Sequence, residues 1–329
     1  MKAVTLKRTG GPEVLEYVEL PMPVAGAQDV LVKAHTIGVS MPEVLVRTGT
    51  YAWMPPLPAI LGIEMSGTVI AAGAAAKGVK VGDAVFVSAR ELPVRAGCYA
   101  EYIAVPAETV EVLPDGVDLE AAACLSNYQV AWHLLHSATR GMQYDSVLAS
   151  AAAGGVGSAI IELARLDGKT VIGLAGSEEK CRFVERLGAR AINYRAGNVA
   201  ARVRELTASR GVDLVLDSVG GPDFMRNFDF VGTLGLVVSY GQIAGPAAGD
   251  VLKVLRGHRA TSPGLRCFTM HAYDKLPEKR RAATRALLDL LAAGRIRPVI
   301  HDRLPLAEAR RAHELFDSGA VMGKMVLKP

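Results

Sequence analysis

The feature that most constrains this chain is a glycine-rich turn at residues 151–157, which read Ala-Ala-Ala-Gly-Gly-Val-Gly. A short apolar run at residues 146–149 precedes it, and apolar side chains at helical spacing follow over residues 158–166. Against the pattern G-x-G-x-x-G, Ala152 replaces the first glycine, while Gly154 and Gly157 keep the second and third. Such a turn brings the backbone and the helix N-terminus against a pyrophosphate, although a glycine turn without a ligand is the alternative. The cofactor-binding residues predicted here are Ala153, Gly154, Gly155, Val156 and Gly157.

Strands and helices alternate on both sides of this turn. An alanine-rich stretch at residues 118–135, with apolar side chains at helical spacing, predicts a helix before the turn. Further apolar strands are predicted at residues 170–175, 191–194, 212–217 and 234–239, with helices at 177–188 and 198–209 between them. Near-continuous apolar strands separated by helices indicate a parallel sheet covered on both faces, which is a doubly wound α/β fold of the Rossmann type.

The rest of the chain has a different character. Short strands at residues 30–34, 64–70, 84–87 and 100–105 are separated by turns and not by long helices, which predicts an antiparallel, barrel-like domain. The tail contains helices at 279–293 and 306–316 and strands at 295–300 and 324–327, which could pair with that first domain. We therefore predict a barrel domain of residues 1–124 and 266–329, into which a Rossmann domain of residues 125–265 is inserted.

Composition narrows the class of protein. Of 329 residues, 50% are hydrophobic and 21% charged, which favours a folded chain over a disordered one. A formal net charge of +4 without a basic run does not suggest nucleic-acid binding, and no segment is apolar enough to span a membrane. The four cysteines are far apart and no signal peptide opens the sequence, so we expect a cytoplasmic protein without disulfides.

The strand after the glycine turn indicates which dinucleotide binds. An NAD site usually ends this strand with Asp or Glu on the ribose 2′-hydroxyl, but here the strand ends in Ala175, Gly176 and Ser177. Ser177 begins a helix, where anions are favoured, and could hydrogen-bond a phosphate on the ribose 2′-oxygen. Lys180 could reach the same phosphate. An N-cap serine and a surface lysine are the alternative explanation. These residues favour NADPH as the cofactor.

With these motifs in place, the sequence resembles the zinc-independent medium-chain dehydrogenases/reductases, in particular the NADPH:quinone oxidoreductases of the zeta-crystallin type. The resemblance covers essentially the whole chain and includes residues 1–4, 47–51, 62–67, 81–85, 151–157, 217–221 and 323–324. It implies a GroES-like β-barrel domain beside the Rossmann domain. It also implies further cofactor-binding positions at Gly176, Ser177, Lys180, Tyr194, Val219, Ser239, Tyr240, Gly241 and Lys324, and a substrate pocket that includes Ser40, Leu45, Val130 and Phe268.

Zinc is not expected in this protein. Ile63 replaces the histidine of the Gly-His-Glu motif used by zinc-dependent alcohol dehydrogenases, and Ser40 falls near their cysteine ligand. Glu64, which follows the lost histidine, receives no catalytic part. The resemblance implies hydride transfer from NADPH to a quinone or an α,β-unsaturated carbonyl compound, because such acceptors delocalise the incoming charge without a metal. Tyr51 matches the tyrosine that donates a proton in related enoyl reductases, and an aromatic lid is its alternative role.

Other functions stay open at this stage. An enoyl-thioester reductase acting on a CoA or carrier-protein substrate would need basic residues, for which Arg47, Arg259 and Arg266 are candidates. A non-catalytic NADPH-binding protein is a third possibility. As in relatives, a homodimer could form through the strand at residues 234–240, expected at a sheet edge, and the segment 251–270.

Overall fold

The computed structural model describes residues 1–329 and divides into two compact units. Unit 1 comprises Met1–Ser126 and Thr284–Pro329, and unit 2 comprises Asn127–Ala283. The chain leaves unit 1 and later returns to it, so unit 2 is an insertion.

The strands, in chain order, are β1 (Lys2–Leu6), β2 (Leu15–Glu19), β3 (Asp29–Val39), β4 (Ala59–Ile60), β5 (Glu64–Ala72), β6 (Ala84–Ser88), β7 (Tyr102–Pro106), β8 (Val110–Val112), β9 (Ser146–Ala149), β10 (Thr170–Ala175), β11 (Arg190–Asn193), β12 (Val212–Asp217), β13 (Val231–Ser239), β14 (Gly264–Cys267), β15 (Ile300–Pro305) and β16 (Lys324–Lys328). The α-helices are α1 (Met41–Thr48), α2 (Leu119–Ala122), α3 (Leu125–Trp132), α4 (Gly155–Leu166), α5 (Glu178–Arg186), α6 (Val199–Leu206), α7 (Val251–Gly257), α8 (Pro277–Ala292) and α9 (Ala309–Asp317).

Unit 1 is built around the long strand β3. Its larger sheet has the order β15-β16-β3-β5-β6-β8, with β7 paired to the first half of β3, and a smaller sheet has the order β2-β1-β4. Both β16 and β5 run antiparallel to β3, one on each side. Val30, Val32, Ile37 and Val39 of β3 are completely buried in the core of this unit, which fixes the register of the strand. The antiparallel, turn-rich arrangement predicted from the sequence is confirmed.

Unit 2 contains a six-stranded sheet in the order β11-β10-β9-β12-β13-β14, in which every neighbouring pair is parallel. Strand order reverses at β9 and β12, which makes the carboxyl ends of these strands the place where ligands bind in such sheets. Residues of β9, β10 and β12 are buried on both faces, as their apolar sequences predict. The predicted doubly wound fold is confirmed.

The structure differs from the sequence predictions at four places. Strand β14 pairs with β13 and lies at the sheet edge, so the segment 234–240 is not the edge strand. The residues from 266 up to Ala283 belong to unit 2 and not to the barrel domain. The tail strand is Ile300–Pro305, and residues 295–299 form no strand. The helix expected over residues 118–135 is divided into α2, α3 and a π-helical turn at His133–Ser137.

No helix in the chain has the length and apolar character that crossing a membrane requires.

Candidate active site

The glycine turn of unit 2 is a tight connection between β9 and α4. Ala151 adopts a left-handed conformation with φ of 47°, and the amide of Gly154 donates to its carbonyl oxygen at 2.9 Å. A Cβ atom at Gly157 would lie 2.6 Å from both the Ala151 oxygen and the Ala152 Cα. Only glycine therefore allows the first turn of α4 to pass so close to the end of β9. The third glycine of the motif serves the packing role predicted for it.

The N-terminus of α4 presents backbone donors in the manner of an anion-binding site. The first amide that bonds back into the helix is that of Ser158, which donates to the Gly154 oxygen at 2.8 Å, and Gly154 at the N-cap offers no side-chain cap. The amides of Gly155, Val156 and Gly157 precede it and have no intrahelical acceptor. Gly154 to Val156 are half-buried, whereas Ala153 is 4% exposed. The arrangement fits a diphosphate on these amides.

The carboxyl ends of β12 and β13 bring further predicted residues to the same edge of the sheet. The Tyr240 amide donates to the Asp217 carbonyl at 2.8 Å, and a Cβ at Gly241 would lie 2.5 Å from the Ser218 oxygen. The amide of Gly220 donates to the Asp217 carboxylate at 2.8 Å. Burial raises the pKa of this carboxyl and also that of the Tyr240 phenol, which bonds to Ser218. Val219, Ser239, Tyr240 and Gly241 thus lie along one edge of the sheet, and their contact with a cofactor stays a prediction.

The ends of β10 and β11 form the second part of the candidate cofactor site. Ser177 is the N-cap of α5 and its hydroxyl accepts from the Lys180 amide at 3.2 Å. The Tyr194 ring packs over Gly176, where a Cβ would lie 2.6 Å from the Tyr194 hydroxyl. The guanidinium of Arg195 covers this ring at 5.7 Å from its centroid. Arg195 was not predicted from the sequence, although a basic residue directly after the predicted Tyr194 is a signal that could have indicated it.

Aromatic side chains surround one predicted pocket residue of unit 2. The rings of Phe268 and Tyr273 are 6.2 Å apart, and Tyr273 stacks on His133 at 4.0 Å. His133 Nδ1 is 2.9 Å from the Ser137 hydroxyl, within the π-helical turn. Val130 is half-buried on α3, one helical turn before His133. Tyr273 and His133 were not predicted as pocket residues, because only the packing of the residues after β14 against this helix brings them together.

In unit 1, α1 and the segment after it carry two predicted residues. The Tyr51 amide donates to the Leu45 carbonyl at 3.1 Å, so the two positions are linked directly. The Tyr51 ring lies 6.0 Å from the Trp53 ring, and Arg95 covers the indole at 5.6 Å. Tyr51 is partly buried against the core of the unit. The structure therefore places the candidate proton donor in an aromatic and basic setting that the sequence did not indicate.

A buried charged cluster occupies the end of β3 in the same unit. It consists of Ser40, Glu43, Glu64 and Lys324, all below 9% exposure. Lys324 Nζ donates short hydrogen bonds to the Ser40 hydroxyl and to Glu64 Oε1. Lys324 was expected to bind the cofactor. In the structure its ammonium is held by these two side chains at 2% exposure, so we assign it to this cluster.

The two glutamates of the cluster are anchored by backbone amides. Glu43 accepts from the amides of Ser40 and Ile63, both at 3.1 Å, and Glu64 accepts from Ser126 at 2.9 Å. Burial, which outweighs the favourable charge of Lys324, raises the pKa of Glu43 to about 7. Glu64 was given no catalytic part from the sequence, and its ammonium partner lies 260 residues away in the chain, where no local pattern could indicate it.

No three His, Cys, Asp or Glu side chains anywhere in the chain form a group that could hold a metal ion. At the positions considered for zinc, Ile63 packs against the apolar core of unit 1, and the Cys124 thiol donates to the Glu120 carbonyl at 3.3 Å. The absence of a metal remains a prediction.

Comparisons with known proteins agree with this geometry. Residues 26–115 match the model of the alcohol dehydrogenase GroES-like domain, and residues 187–327 match that of the zinc-binding dehydrogenase. The quinone oxidoreductase of Pseudomonas aeruginosa is 36% identical over 100% of this chain and 99% of its own length. The human quinone oxidoreductase is 32% identical over 99% of this chain and 97% of its own.

Solved structures show the same similarity. The Escherichia coli quinone oxidoreductase complexed with NADPH superposes with a TM-score of 0.89 at 30% identity, covering both chains completely. A 2-haloacrylate reductase superposes with a TM-score of 0.82 at 28% identity, over 100% of this chain and 99% of its own. The similarities to the curated relatives and to the solved structures both extend along the whole sequence. The chain therefore belongs to the quinone oxidoreductases of the medium-chain dehydrogenase/reductase superfamily.

Proposed function

We propose that this protein is an NADPH-dependent oxidoreductase that reduces quinones or α,β-unsaturated carbonyl compounds. The observation that carries the proposal is the uncapped N-terminus of α4 together with Ser177, Lys180 and Arg195 at the ends of the next two strands. A diphosphate and a separate phosphate group would both find hydrogen-bond donors at these residues. The relatives named quinone oxidoreductase and the neighbour named 2-haloacrylate reductase support acceptors with an activated double bond.

The residues of unit 2 fit NADPH along its length. The diphosphate would rest on the amides of residues 155–157, and the 2′-phosphate on Ser177, Lys180 and Arg195. Tyr194 would pack beside the adenosine. The nicotinamide end would lie along Val219 and residues 239–241, where the carboxyl ends of β12 and β13 meet.

Bound NADPH supplies the hydride, and the chain has to bind the acceptor, orient it, exclude water and deliver a proton. Val130 and Phe268 of unit 2 would contribute apolar surface to the acceptor, with Tyr273 and His133 behind Phe268. Tyr51 is our candidate for a proton donor that touches the acceptor. An aromatic lid, in which the ring only covers the acceptor, is the other role that its position beside Trp53 allows.

The cofactor assignment is tested by calorimetry with NADPH and NADH on the wild type and on Arg195→Gln. We expect the Kd for NADPH to rise about tenfold in the variant and that for NADH to stay within about twofold, because a charged hydrogen bond contributes about 1.5–3 kcal/mol. Arg186→Gln is the matched control, since Arg186 covers the Phe183 ring at 5.8 Å and faces no predicted ligand. Equal losses for both coenzymes would show that Arg195 does not contact the 2′-phosphate.

The reaction is tested by following NADPH oxidation with a panel of quinones, cyclic enones and 2-alkenals. We expect turnover with members of this panel and none with simple alcohols plus NADP⁺. Failure with every acceptor, combined with tight NADPH binding, would favour a non-catalytic NADPH-binding protein.

An enoyl-thioester reductase is the less favoured function. Arg47 is 1% exposed and paired with Asp317, and Arg266 donates to the Ala138 carbonyl. Arg259 donates to the Arg256 carbonyl at 3.3 Å. The three arginines considered for a CoA or carrier-protein substrate therefore all have partners within their own unit, which gives this function little support.

We further propose that the protein forms a homodimer through the β14 edge of unit 2. Apolar side chains are exposed around this edge, with 71% exposure at Leu234, 67% at Leu252 and 37% at Leu265. A parallel sheet with an open edge is a template for pairing, and a second copy of the chain could continue it.

We also propose a cytoplasmic location. Cys98, Cys124 and Cys181 are buried free thiols, which suits a reducing compartment.

A further inference from the structure

The proposed site for the 2′-phosphate contains acidic side chains as well as basic ones. Ser177 is the N-cap of α5, and the next two residues of the helix are Glu178 and Glu179, while Lys180 and Arg195 supply positive charge. Acids in the first turn of a helix interact favourably with its dipole. A phosphate at the N-cap, however, would be repelled by a carboxylate close to it. Binding of a phosphate here therefore depends on where the Glu178 carboxylate lies.

The structure holds that carboxylate against the end of β11. Glu178 Oε1 accepts a hydrogen bond from Asn193 Nδ2 at 2.7 Å. Asn193 is the last residue of β11 and lies opposite Ala175, the last residue of β10, in the parallel register. The Tyr194 amide donates to the Ala175 carbonyl at 3.0 Å, which ties the two strand ends together. The side-chain bond thus links the end of β11 to the helix that follows the neighbouring strand.

Both partners of the Asn193 side chain fix its orientation. Its Oδ1 accepts from the Arg195 amide at 3.1 Å, which closes a turn of the kind that asparagine side chains favour. Its Nδ2 donates to Glu178. A carboxylate only accepts hydrogen bonds and a backbone amide only donates them, so the reverse orientation of the side chain would lose both bonds. One half-buried asparagine therefore controls both an acid and the turn that carries Arg195.

The same turn carries the groups that are proposed to bind the cofactor. The Tyr194 hydroxyl would lie 2.6 Å from a Cβ at Gly176, and the Arg195 guanidinium covers the Tyr194 ring at 5.7 Å from its centroid. Asn193 directly precedes these two residues and bonds to the second of them. The groups that would attract the phosphate and the acid that would repel it are thus tied to one side chain.

We propose that Asn193 sets the preference for NADPH over NADH by holding the Glu178 carboxylate away from the phosphate position at Ser177. This inference rests on the proposed function, in which the 2′-phosphate binds to Ser177, Lys180 and Arg195. Asn193 is a positioning residue that acts through Glu178. A released Glu178 would repel the phosphate of NADPH, and it would be free to accept from the ribose 2′-hydroxyl of NADH, the contact that an acid makes in NAD sites.

The two bonds of Asn193 can be separated by substitution. Asn193→Ser keeps a hydroxyl that can accept from the Arg195 amide, since serine forms the same kind of turn. The serine side chain is one atom shorter and lacks the amide group that donates to Glu178. If Asn193 only closes the turn, the serine variant keeps the coenzyme preference of the wild type. If Asn193 holds the acid, the serine variant loses part of that preference.

The test is calorimetry with adenosine 2′,5′-bisphosphate and adenosine 5′-monophosphate, which contain only the adenosine end of the coenzymes. We expect Asn193→Ser to raise the Kd for the bisphosphate about five- to tenfold, as for a like charge about 6 Å from a phosphate near the surface. The Kd for the monophosphate should stay within about twofold, because it has no 2′-phosphate to repel.

Removing the charge of the acid should reverse this loss. In the Glu178→Gln background, Asn193→Ser should change the Kd for the bisphosphate by no more than about twofold. Glu179→Gln is the matched control, since it removes a carboxylate from the same helical turn and leaves the bond between Asn193 and Glu178 in place. In that background, Asn193→Ser should still cause its full loss.

Salt distinguishes repulsion from a misplaced turn. At about 1 M NaCl the Debye length falls to about 3 Å, so the repulsion by an exposed carboxylate is screened. We expect the ratio of the bisphosphate Kd values in Asn193→Ser and in the wild type to fall toward one. A loss caused by a displaced Arg195 would keep its ratio. Melting temperatures within a few degrees of the wild type would show that the variants are folded.

These measurements separate the inference from the proposed function. A wild type that binds the bisphosphate no more tightly than the monophosphate would refute the 2′-phosphate site and overturn the inference with it. A wild type that prefers the bisphosphate but reduces no acceptor would refute the reductase alone, and the binding data would still decide the role of Asn193. An unchanged preference in Asn193→Ser, or a loss that Glu178→Gln does not reverse, would overturn the inference and leave the proposed function intact.

Discussion

At the scale of single residues, unit 1 contains a buried arginine beside a buried histidine, and packing controls the protonation of the histidine. Arg47 Nη2 donates to both carboxylate oxygens of Asp317, at 2.7 and 2.8 Å, and this pair joins α1 to α9. His313 is fully buried on α9 and its Nε2 lies 3.3 Å from the Tyr99 hydroxyl. Burial and then the charge of Arg47 lower the pKa of His313 to about 3. The imidazole is therefore neutral in the folded protein.

This residue predicts a specific loss of stability in acid. An unfolded histidine titrates near its ordinary value of 6.5, so between about pH 6.5 and 3 the unfolded chain binds a proton that the folded chain does not. The contribution of His313 to the free energy of unfolding thus falls with falling pH, by about 1.4 kcal/mol per pH unit. In urea unfolding, we expect the wild type to lose about 2 kcal/mol more than His313→Gln between pH 7 and pH 5.

The difference between the wild type and His313→Gln is not affected by the other group in unit 1 whose pKa is shifted toward neutral pH, Glu43. Glu43 has a pKa raised to about 7, so its contribution to stability increases as the pH falls toward 4.5, opposite in sign to that of His313. It is present in both proteins and cancels in the difference between them. Equal losses in the wild type and in His313→Gln would show that the histidine is not held neutral.

At the scale of secondary-structure elements, the candidate cofactor site depends on how closely α4 follows β9. The amide of Ala152 donates to the Leu174 carbonyl of β10, and that of Ser150 donates to the Leu216 carbonyl of β12, both at 3.0 Å. The turn is thus tied to both neighbouring strands before the helix begins. The first amides of α4 therefore have a fixed position relative to the sheet edge.

Gly157→Ala should disturb this arrangement. Its Cβ would lie 2.6 Å from backbone atoms of residues 151 and 152, which cannot move without breaking the bonds to β10 and β12. We expect destabilisation by about 1–3 kcal/mol, as in other overpacked positions, and a weaker NADPH complex. Thermal unfolding and calorimetry measure both effects.

Gly257→Ala is the matched control, because a Cβ at Gly257 would have no neighbour within 4 Å. That variant should melt and bind NADPH as the wild type does. Normal stability and affinity in Gly157→Ala would contradict the close approach of α4 to β9.

At the scale of the whole molecule, the open β14 edge predicts the oligomeric state. We expect light scattering to give the mass of a dimer for the wild type and of a monomer for Leu252→Lys/Leu265→Lys, because buried charges at an apolar interface are costly. Val24→Lys changes an apolar residue of unit 1 with 87% exposure and should remain a dimer. A monomeric wild type at micromolar concentration would refute the proposed interface.

Much of the fold followed from local patterns. The strand–turn–helix at residues 146–166 was predicted because its apolar periodicity and its glycines are contiguous in the chain. The β14 strand was missed because Gly-Leu-Arg-Cys has no alternation and forms a strand only by pairing with β13. Strand β15 was placed too early for the same reason, since its bounds depend on β16.

The sequence alone therefore determined the two-part α/β architecture, the glycine turn between β9 and α4, and the family, since each depends on short contiguous motifs. Only the tertiary structure decided the partners of Lys324, which lie 284 and 260 residues away at Ser40 and Glu64. The same holds for the stacking of Tyr273 on His133. Long-range contacts of this kind depend on which strands become neighbours in a sheet, and that choice is made by packing the whole core and not by any local pattern.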